Sequence, residues 1–248
     1  MTGEEWRAAI LAVREPPKTV KALTFLKAWS TASQPVAVSC DDGVAYVAKG
    51  SQNGRMCFND HVVNRLGALI DAPVGQVVFV DAADLVRIEP RMSHFGPALA
   101  HGTRELPDCG ERQAFEYSHV AENRGRFGAL CILYSWAGCW GDHQMIYENS
   151  GVHLAHSVDH GHFFPGGPNW TTAGLQATPA AVLDAVFGQC GLVEAELVQT
   201  KQRLRAVTEQ QIASILGAPP DAWGVALEER VAMAEYLVKR KIQLVGTP

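Results

Sequence analysis

The sequence of 248 residues contains no pair of cysteines in a CxxC pattern. Its six cysteines therefore do not indicate a zinc knuckle or a thioredoxin-type redox motif. No apolar run reaches the length of a membrane span. The first residues carry acids instead of the long apolar core of a signal peptide. We accordingly expect a cytoplasmic protein that does not bind membranes.

An excess of positive charge is also missing. The 26 acidic and 21 basic residues give a net charge of −5, which argues against general binding to nucleic acid or to a membrane surface. Internal repeats and low-complexity tracts are absent too. Because 47% of the residues are hydrophobic, the chain can bury a core of ordinary size. Its length suits one large domain or two lobes that share a cleft.

Two β-rich runs, 36–40 and 44–50, flank the turn Asp41-Asp42-Gly43 and predict a hairpin. Alternation along the second run places Lys49 on the opposite face from its neighbours Ala48 and Gly50. If that face is the inner one, Lys49 must find an anion, because burying an unpaired charge is costly. The alternative is a lysine on an edge strand that points to water.

An apolar stripe predicts the next element, a helix over about 60–70 with Asn59 as its N-cap. Asp60 would lie in the first turn, where an acid suits the helix dipole, and it is also a candidate partner for Lys49. Residues 76–80 and 84–88 look like strands. The small, apolar stretch 95–103 suits a last strand that runs into a hinge.

The second half of the chain has a helical pattern, which begins near residue 112. A long buried helix is predicted at 123–136, and it leads directly to Gly141-Asp142-His143. Further helices are predicted at 178–189, 192–204, 208–216 and 227–244. The sequence therefore predicts an α+β fold in two lobes. We assign residues 1–103 to a β-rich N-lobe and residues 104–248 to a mainly helical C-lobe.

Two aspartates, Asp142 and Asp159, end two adjacent predicted elements. A phosphate-transfer site uses such a pair, because one carboxylate faces the attacking hydroxyl and the other holds the Mg²⁺ that bridges the phosphates. Such a site also needs a lysine upstream, and Lys49 supplies it.

Several motifs, in this order, resemble those of HipA-like kinases, in particular the short stand-alone branch of that family. They are Tyr46-Val47-Ala48-Lys49-Gly50, Asn59-Asp60 at a predicted helix start, the Pro73-Val74-Gly75 step, Gly141-Asp142-His143-Gln144 and Ser157-Val158-Asp159-His160-Gly161. The resemblance covers roughly residues 30–175. It implies a bilobal protein-kinase-like fold that binds ATP and Mg²⁺ in its cleft. The implied reaction is transfer of phosphate to a protein serine or threonine.

The resemblance also implies a role for individual residues. Lys49 would hold the α- and β-phosphates, with Asp60 in place of the usual helical glutamate. Asp142 would be the catalytic base, and Asp159 would bind Mg²⁺. The turn Ala32-Ser33-Gln34 would take the place of a phosphate-covering loop, since backbone N–H groups in such a turn can form an anion nest.

Besides the replacement of the helical glutamate by Asp60, the sequence departs from the kinase pattern at two further points. It has no glycine-rich GxGxxG loop. Tyr147 stands five residues after Asp142, where a kinase has a metal-binding asparagine, and tyrosine is a poor ligand for Mg²⁺. Gln144 could supply an amide oxygen to the metal instead. These departures favour a second hypothesis, a nucleotide-binding pseudokinase that serves as an interaction module.

A cluster of histidines supports a third hypothesis, a metal-dependent hydrolase or oxygenase that uses histidine and aspartate ligands. Five histidines crowd into twenty residues: His143, His153, His156, His160 and His162. The series His153-x-x-His156-x-x-Asp159-His160 does not have the spacing of an HxHxDH motif. We expect His160 instead to pack where phenylalanine packs in the Asp-Phe-Gly motif of kinases.

Overall fold

Five strands in the first part of the chain close into a barrel. The computed structural model describes residues 1–13, 18–141, 143–149 and 151–246. The barrel has the strand order β1-β2-β3-β5-β4. Its strands are β1 (Thr19–Ala28), β2 (Val36–Cys40), β3 (Ala45–Lys49), β4 (Val77–Asp81) and β5 (Ala100–Arg104). Small and β-branched side chains fill the interior, among them Val36, Val38, Ala48, Val78 and Val80.

The hairpin predicted around Asp41-Asp42-Gly43 is confirmed. Strands β2 and β3 pair antiparallel, with Val36 opposite Ala48. Gly43 has a φ of 77°, which an L-residue with a side chain rarely adopts, so glycine suits this turn. Strand β3 also pairs with β5 on its other side, which makes it an interior strand of the barrel.

The helix α2 (Arg55–Leu69) crosses from β3 to β4 and begins earlier than the sequence predicts. The predicted start near residue 60, with Asn59 as the cap, is wrong. The helix follows Gly54, which has a φ of 50°, and residues 57–64 are buried in it without interruption. Because both faces of this helix are covered, its polar residues Asn59 and Asp60 lie in the interior.

The strand predicted at 84–88 is also wrong, since residues Ala83–Ile88 form the short helix α3. The Asp81 carboxylate accepts a hydrogen bond from the N–H of Ala83 at 3.1 Å, which helps this helix to start. Leu85 is the side chain of α3 that is buried. Alternation over five residues did not distinguish a strand from one and a half turns of helix.

The second part of the chain is mainly helical, as predicted. Helix α4 (Ala121–Ala137) is buried without interruption from Phe127 onward and ends at Gly138, which has a left-handed conformation. A small antiparallel sheet with the strand order β6-β7-β8 contacts α4 through β8. Its strands are β6 (Cys109–Glu111), β7 (Met145–Glu148) and β8 (Ala155–Ser157). The remaining helices are α5 (Thr172–Ala177), α6 (Glu194–Ala206), α7 (Glu209–Gly217) and α8 (Leu227–Val245).

The helix predicted at 178–189 is wrong over most of its length. Only residues Ala185–Cys190 turn, and they form a 3₁₀ segment. Pro179 lacks an N–H, and the N–H of Ala181 donates to the Gln243 side chain at 2.8 Å instead of to a helical carbonyl. None of the helices in the described ranges has the length and apolar character required to span a bilayer.

The first helix, α1 (Gly3–Leu11), packs on the helical part of the molecule. Trp6 and Ile10 are buried in the large core that also holds residues of α7 and α8. Arg7 pairs with Glu228 of α8 at 2.7 Å. The lobe boundary at residue 103 stays a prediction, with α1 in contact with helices that lie beyond it.

Candidate active site

Lys49 is the last residue of β3 and faces the interior of the molecule. Its side chain is only 8% exposed. The Nζ atom lies 2.6 Å from Asp60 Oδ2 and 2.5 Å from Asp159 Oδ1. The alternative of an edge-strand lysine in water is wrong, because β3 lies between β2 and β5. The buried Lys49 thus has two anionic partners, Asp60 and Asp159, where its burial requires one.

The two carboxylates favour the charged form of Lys49, and Lys49 favours the charged form of Asp60. Burial alone would lower the pKa of Lys49, but the carboxylates of Asp60 and Asp159 outweigh it and raise the pKa above its ordinary value. Burial alone would raise the pKa of Asp60. Lys49, and after it His101, outweigh this and hold the pKa of Asp60 well below its usual range. Lys49 and Asp60 therefore form an ion pair in the interior.

Asp60 lies in the middle of α2, and both of its carboxylate oxygens are used. Oδ1 accepts hydrogen bonds from Asn64 Nδ2 at 2.9 Å and from the N–H of His160 at 3.1 Å. Oδ2 accepts from Lys49 and lies 3.5 Å from His101 Nε2. A buried carboxylate with this many donors can remain ionised without contact with water.

Asp159 differs from Asp60 in exposure. Its side chain is 37% exposed, against 3% for Asp60. The residue has φ 59° and ψ 63°, a left-handed conformation that aspartate tolerates better than most residues. Asp159 is therefore the carboxylate of the cluster that a ligand from solvent can reach.

His160 is buried behind Asp159, as the sequence predicts for the position after this aspartate. Its ring packs edge-on against Phe163 at 4.9 Å and against Tyr134 at 6.5 Å. Nε2 lies 2.8 Å from Ser157 Oγ, and Nδ1 lies 3.0 Å from Asn64 Nδ2. The imidazole thus links β8 to α2 and fixes the backbone on which Asp159 sits.

Asn59 holds the segment that follows His160, a function that the sequence did not suggest. Its Nδ2 donates to the carbonyl oxygens of Gly161 at 2.9 Å and Phe163 at 3.2 Å. Its Oδ1 accepts from Trp170 Nε1 at 3.0 Å. The signal in the sequence is an asparagine among the apolar residues of a helix, and the predicted role as a helix cap is wrong because Asn59 lies inside α2.

We predict that Asn59→Asp destabilises the protein strongly. The substitution keeps the shape of the side chain but turns a donor that faces carbonyl oxygens into a buried, charged acceptor. We expect the free energy of unfolding to fall by about 3 kcal/mol or more in a urea titration. The exposed Asn169 is the matched control, and Asn169→Asp should leave the midpoint nearly unchanged. Equal effects at the two positions would contradict the buried network.

Gln144, the candidate metal ligand, lies close to Asp159 through the backbone. Its carbonyl oxygen accepts from the N–H of Val158 at 3.2 Å, and its side chain is exposed. Tyr147 is buried in β7, and its hydroxyl donates to the Ala114 carbonyl oxygen at 2.5 Å. Tyr147 is therefore committed elsewhere and does not replace the kinase asparagine. Asp142 lies outside the described residues.

The turn Ala32-Ser33-Gln34 connects β1 to β2. The Ser33 carbonyl oxygen accepts from Asn53 Nδ2 at 2.9 Å, which ties the turn to the 3₁₀ segment Ser51–Asn53 directly after Lys49. The N–H of Gln34 donates to Thr31 within the turn at 3.0 Å. This leaves the N–H groups of Ala32 and Ser33 as the candidates for the predicted anion nest.

Four of the five clustered histidines have separate partners. His143 pairs with Asp184, and His156 pairs with Glu148. His153 stacks on Tyr117, His160 is buried beside Asp60, and His162 is exposed. Among the described residues, the series His153, His156 and Asp159 does not form a group of metal-ligand atoms. The third hypothesis therefore has no site at that series.

His61 of α2 is buried without a hydrogen-bond partner for either ring nitrogen among the described residues. Its ring stacks on Phe79 at 4.8 Å and meets Trp223 edge-on at 5.7 Å. Burial, and after it the neighbouring His101, lower the pKa of His61 well below its ordinary value of 6.5. At a pH somewhat below 6.5, this imidazole therefore stays neutral in the folded protein but is protonated in the unfolded chain.

We predict that stability falls as the pH falls below about 6.5, because only the unfolded chain takes up this proton. The contribution of His61 reaches about 1.4 kcal/mol per pH unit. Urea titrations at a series of pH values below about 6.5 give the change of the free energy of unfolding with pH. His61→Leu should reduce this change, and the exposed control His119→Gln should not. A slope that His61→Leu leaves unchanged would show that other groups cause the acid sensitivity.

The comparison with solved structures defines the class of fold. The chain is similar to the proinflammatory kinase CtkA of Helicobacter pylori, with a TM-score of 0.63 and 10% identity over 93% of this chain and 96% of that one. Two structures of Golgi casein kinase, one with Mn and ADP bound, match with a TM-score of 0.49. They are 10% and 11% identical to this chain, cover 98% and 99% of it, and are matched over 75% and 76% of their own length.

Neither a family model nor a curated protein matches the sequence. The fold is protein-kinase-like, with a β-rich N-lobe and a mainly helical C-lobe. The predicted fold class is confirmed, whereas the assignment to the HipA-like branch stays a prediction. In this fold Lys49, Asp60 and Asp159 meet between the barrel and the helical part.

Proposed function

We propose that the chain is a phosphotransferase that uses Mg·ATP and transfers phosphate to a serine or threonine of a protein. One observation carries the proposal. A strand lysine, a helix aspartate and a loop aspartate, which are 110 residues apart at the extremes, form one ion cluster. Their order along the chain and the elements that carry them match what a kinase-like site requires of its lysine, its helical acid and its metal-binding acid.

The donor set fits a divalent cation with bound phosphates. Lys49 neutralises only one of the two carboxylates, so one negative charge remains on the exposed side, at Asp159. Asp159 and the amide oxygen of Gln144 are oxygen ligands of the kind that Mg²⁺ prefers, and they would hold the ion. The metal would screen the negative charge that collects on the transferred phosphate.

The residues of the chain divide the remaining work between them. Lys49 would bind the α- and β-phosphates, and Asp60 would keep its amine charged and aimed. Because the amine of Lys49 is paired with Asp159 in this structure, the phosphates must either share the amine with Asp159 or replace Asp159 as its partner. Asp142 would accept the proton of the acceptor hydroxyl. The N–H groups of Ala32 and Ser33 would cover the phosphates.

A second candidate is a pseudokinase that binds nucleotide without transferring phosphate. The buried hydroxyl of Tyr147 favours it, because this side chain cannot act as the second metal ligand of a kinase. Phosphate transfer then requires Gln144 as the second metal ligand. Its side chain is exposed, and its backbone carbonyl oxygen accepts a hydrogen bond from the N–H of Val158.

One experiment separates the two candidates. The purified protein is incubated with Mg·ATP and a mixture of proteins, and the products are examined by intact-mass measurement and with labelled ATP. We expect a melting temperature that rises with Mg·ATP, together with the gain of phosphate by the protein or by an acceptor. Stabilisation by Mg·ATP without any transfer would support the pseudokinase. An unchanged melting temperature would contradict both.

A further inference from the structure

A second group of ligand atoms lies beyond the end of α4. The Cys139 Sγ, a ring nitrogen of His143 and a carboxylate oxygen of Asp184 are all within 4.8 Å of one another. His143 Nε2 is 3.1 Å from Asp184 Oδ2. Within the residues that the structure describes, this is the one grouping of three or more histidine, cysteine or acidic side chains close enough to share an ion.

The chemistry of the three atoms selects a transition metal. Thiolate and imidazole are ligands for zinc and its neighbours, whereas Mg²⁺ and Ca²⁺ prefer oxygen alone. The negative charges of a thiolate and a carboxylate together balance one Zn²⁺. Bonds of about 2.0–2.3 Å in a tetrahedral site place the ligand atoms roughly 3–4 Å apart. His143 and Asp184 already meet this distance at 3.1 Å, and the Cys139 Sγ, which lies within 4.8 Å of both, must move closer when the metal binds.

The surroundings fix two of the three ligands in place. Asp184 Oδ1 accepts from the N–H of Val186 at 2.9 Å, and this leaves Oδ2 to face His143. The N–H of Asp184 donates to Ser135 Oγ of α4 at 2.8 Å. The His143 ring lies among aromatic side chains, with centroid distances of 4.7, 5.5 and 6.0 Å. They are Tyr134, Phe187 and Phe115. Outer contacts of this kind orient the ligands of metal sites.

The three ligand side chains are largely buried but border a cavity that opens to solvent. The side chains of His143 and Asp184 are 11% and 12% exposed. They line a surface cavity of about 730 Å³ together with Cys139 and Trp140. Arg240 also reaches this cavity, but its guanidinium donates to the carbonyl oxygens of Ser135 and Trp136. The cavity can therefore supply a water molecule as a fourth ligand.

We infer that Cys139, His143 and Asp184 bind one Zn²⁺, with water as the fourth ligand. The site is distinct from the cluster at Lys49, and it does not depend on the proposed phosphotransferase activity. Binding releases the proton of the Cys139 thiol to solvent and replaces the hydrogen bond between His143 and Asp184 with two bonds to the metal. The proton of the neutral His143 ring then lies on the nitrogen that does not bind the metal. The ion fastens the segment between α4 and β7 to the 3₁₀ segment Ala185–Cys190.

Metal titration of the full chain tests this inference. The protein is stripped with a chelator and titrated with Zn²⁺ against a chromophoric competitor, and then with Co²⁺ as a spectroscopic probe. We expect one Zn²⁺ per chain and a higher melting temperature on binding. Co²⁺ should give the intense visible bands of a tetrahedral ion and a thiolate-to-metal charge-transfer band in the ultraviolet.

Two ligand variants and two controls assign the residues. Cys139→Ser should abolish the charge-transfer band, and Asp184→Asn should weaken Zn²⁺ binding by on the order of a hundredfold or more. Cys109→Ser, at a half-buried cysteine of β6, and His162→Gln, at an exposed histidine, should leave both readouts unchanged. Circular dichroism checks that each variant is folded.

Two results would overturn the inference. One is a wild-type protein that takes up no Zn²⁺ more tightly than Cys139→Ser does. The other is a charge-transfer band that survives in Cys139→Ser, since another cysteine would then hold the metal. Both results leave the binding of Mg·ATP untouched, so the failure of this inference is distinguishable from a failure of the proposed function.

Discussion

Asp60→Asn is expected to lower the free energy of unfolding by about 3–5 kcal/mol, as the loss of one partner of a buried ion pair does. The amide group puts a donor where Lys49 and His101 approach one oxygen, or where Asn64 and the N–H of His160 approach the other. Either orientation opposes donor to donor. Lys49 then keeps only Asp159, whose side chain is 37% exposed. Urea titrations of the two proteins at one pH measure the difference.

A double-mutant cycle shows whether the effect arises from the pair. Lys49→Met combined with Asp60→Asn removes both charges, so the double variant should be more stable than the sum of the two single losses predicts, by about 1–3 kcal/mol. Asp84→Asn is the control, because Asp84 pairs with Lys21 at the surface and the midpoint should hardly move. Additive losses would mean that the two side chains do not act as a pair.

The second large effect is expected at the two aspartates of the proposed reaction. Asp159→Asn removes the charge that holds the metal, so it should weaken Mg·ATP binding and abolish transfer together. Asp142→Asn should keep the affinity for ATP and lower turnover by roughly a hundredfold or more, because only the group that orients the acceptor hydroxyl is lost. Calorimetry gives the affinity, and labelled ATP gives the turnover.

Gln144→Ala extends this comparison to the second metal ligand. Under the proposed function it should weaken the binding of Mg²⁺ together with nucleotide and leave the binding of metal-free ATP unaffected, since the exposed amide contacts the metal only.

One outcome would contradict the role of Asp159. Unchanged Mg·ATP affinity in Asp159→Asn, with transfer retained, would show that this aspartate does not hold the metal.

The elements that the sequence predicted well are those whose pattern is long or has a strong turn. The hairpin β2–β3 follows from alternation around Asp41-Asp42-Gly43, and α4 follows from a continuous apolar run. The start of α2 was wrong, because a helix covered on both faces has no polar side to mark its first turn. Residues 84–88 were too few to show a period.

The candidate site was predictable where charge alone determines the partner. A lysine on an interior strand must meet a carboxylate, and this argument points to Asp60 as the partner of Lys49. The sequence predicts Asp159 only as a metal ligand, and its contact with Lys49 is not predicted. The role of Asn59 could not be deduced, because its partners are backbone carbonyl oxygens more than a hundred residues away. Asp184 could not be deduced either, since it approaches His143 only through the packing of residues 184–190 on α4.

The central claim is that nucleotide phosphates and their metal bind at Lys49 and Asp159. A crystal structure of the protein with Mg²⁺ and a non-hydrolysable ATP analogue tests it most directly. The account predicts phosphate oxygens within hydrogen-bond distance of Lys49 Nζ and a metal ion ligated by Asp159. A nucleotide bound elsewhere, for example in the cavity of about 590 Å³ lined by Lys18, Arg65 and Gln76, with Lys49 still closed between its two aspartates, would contradict it.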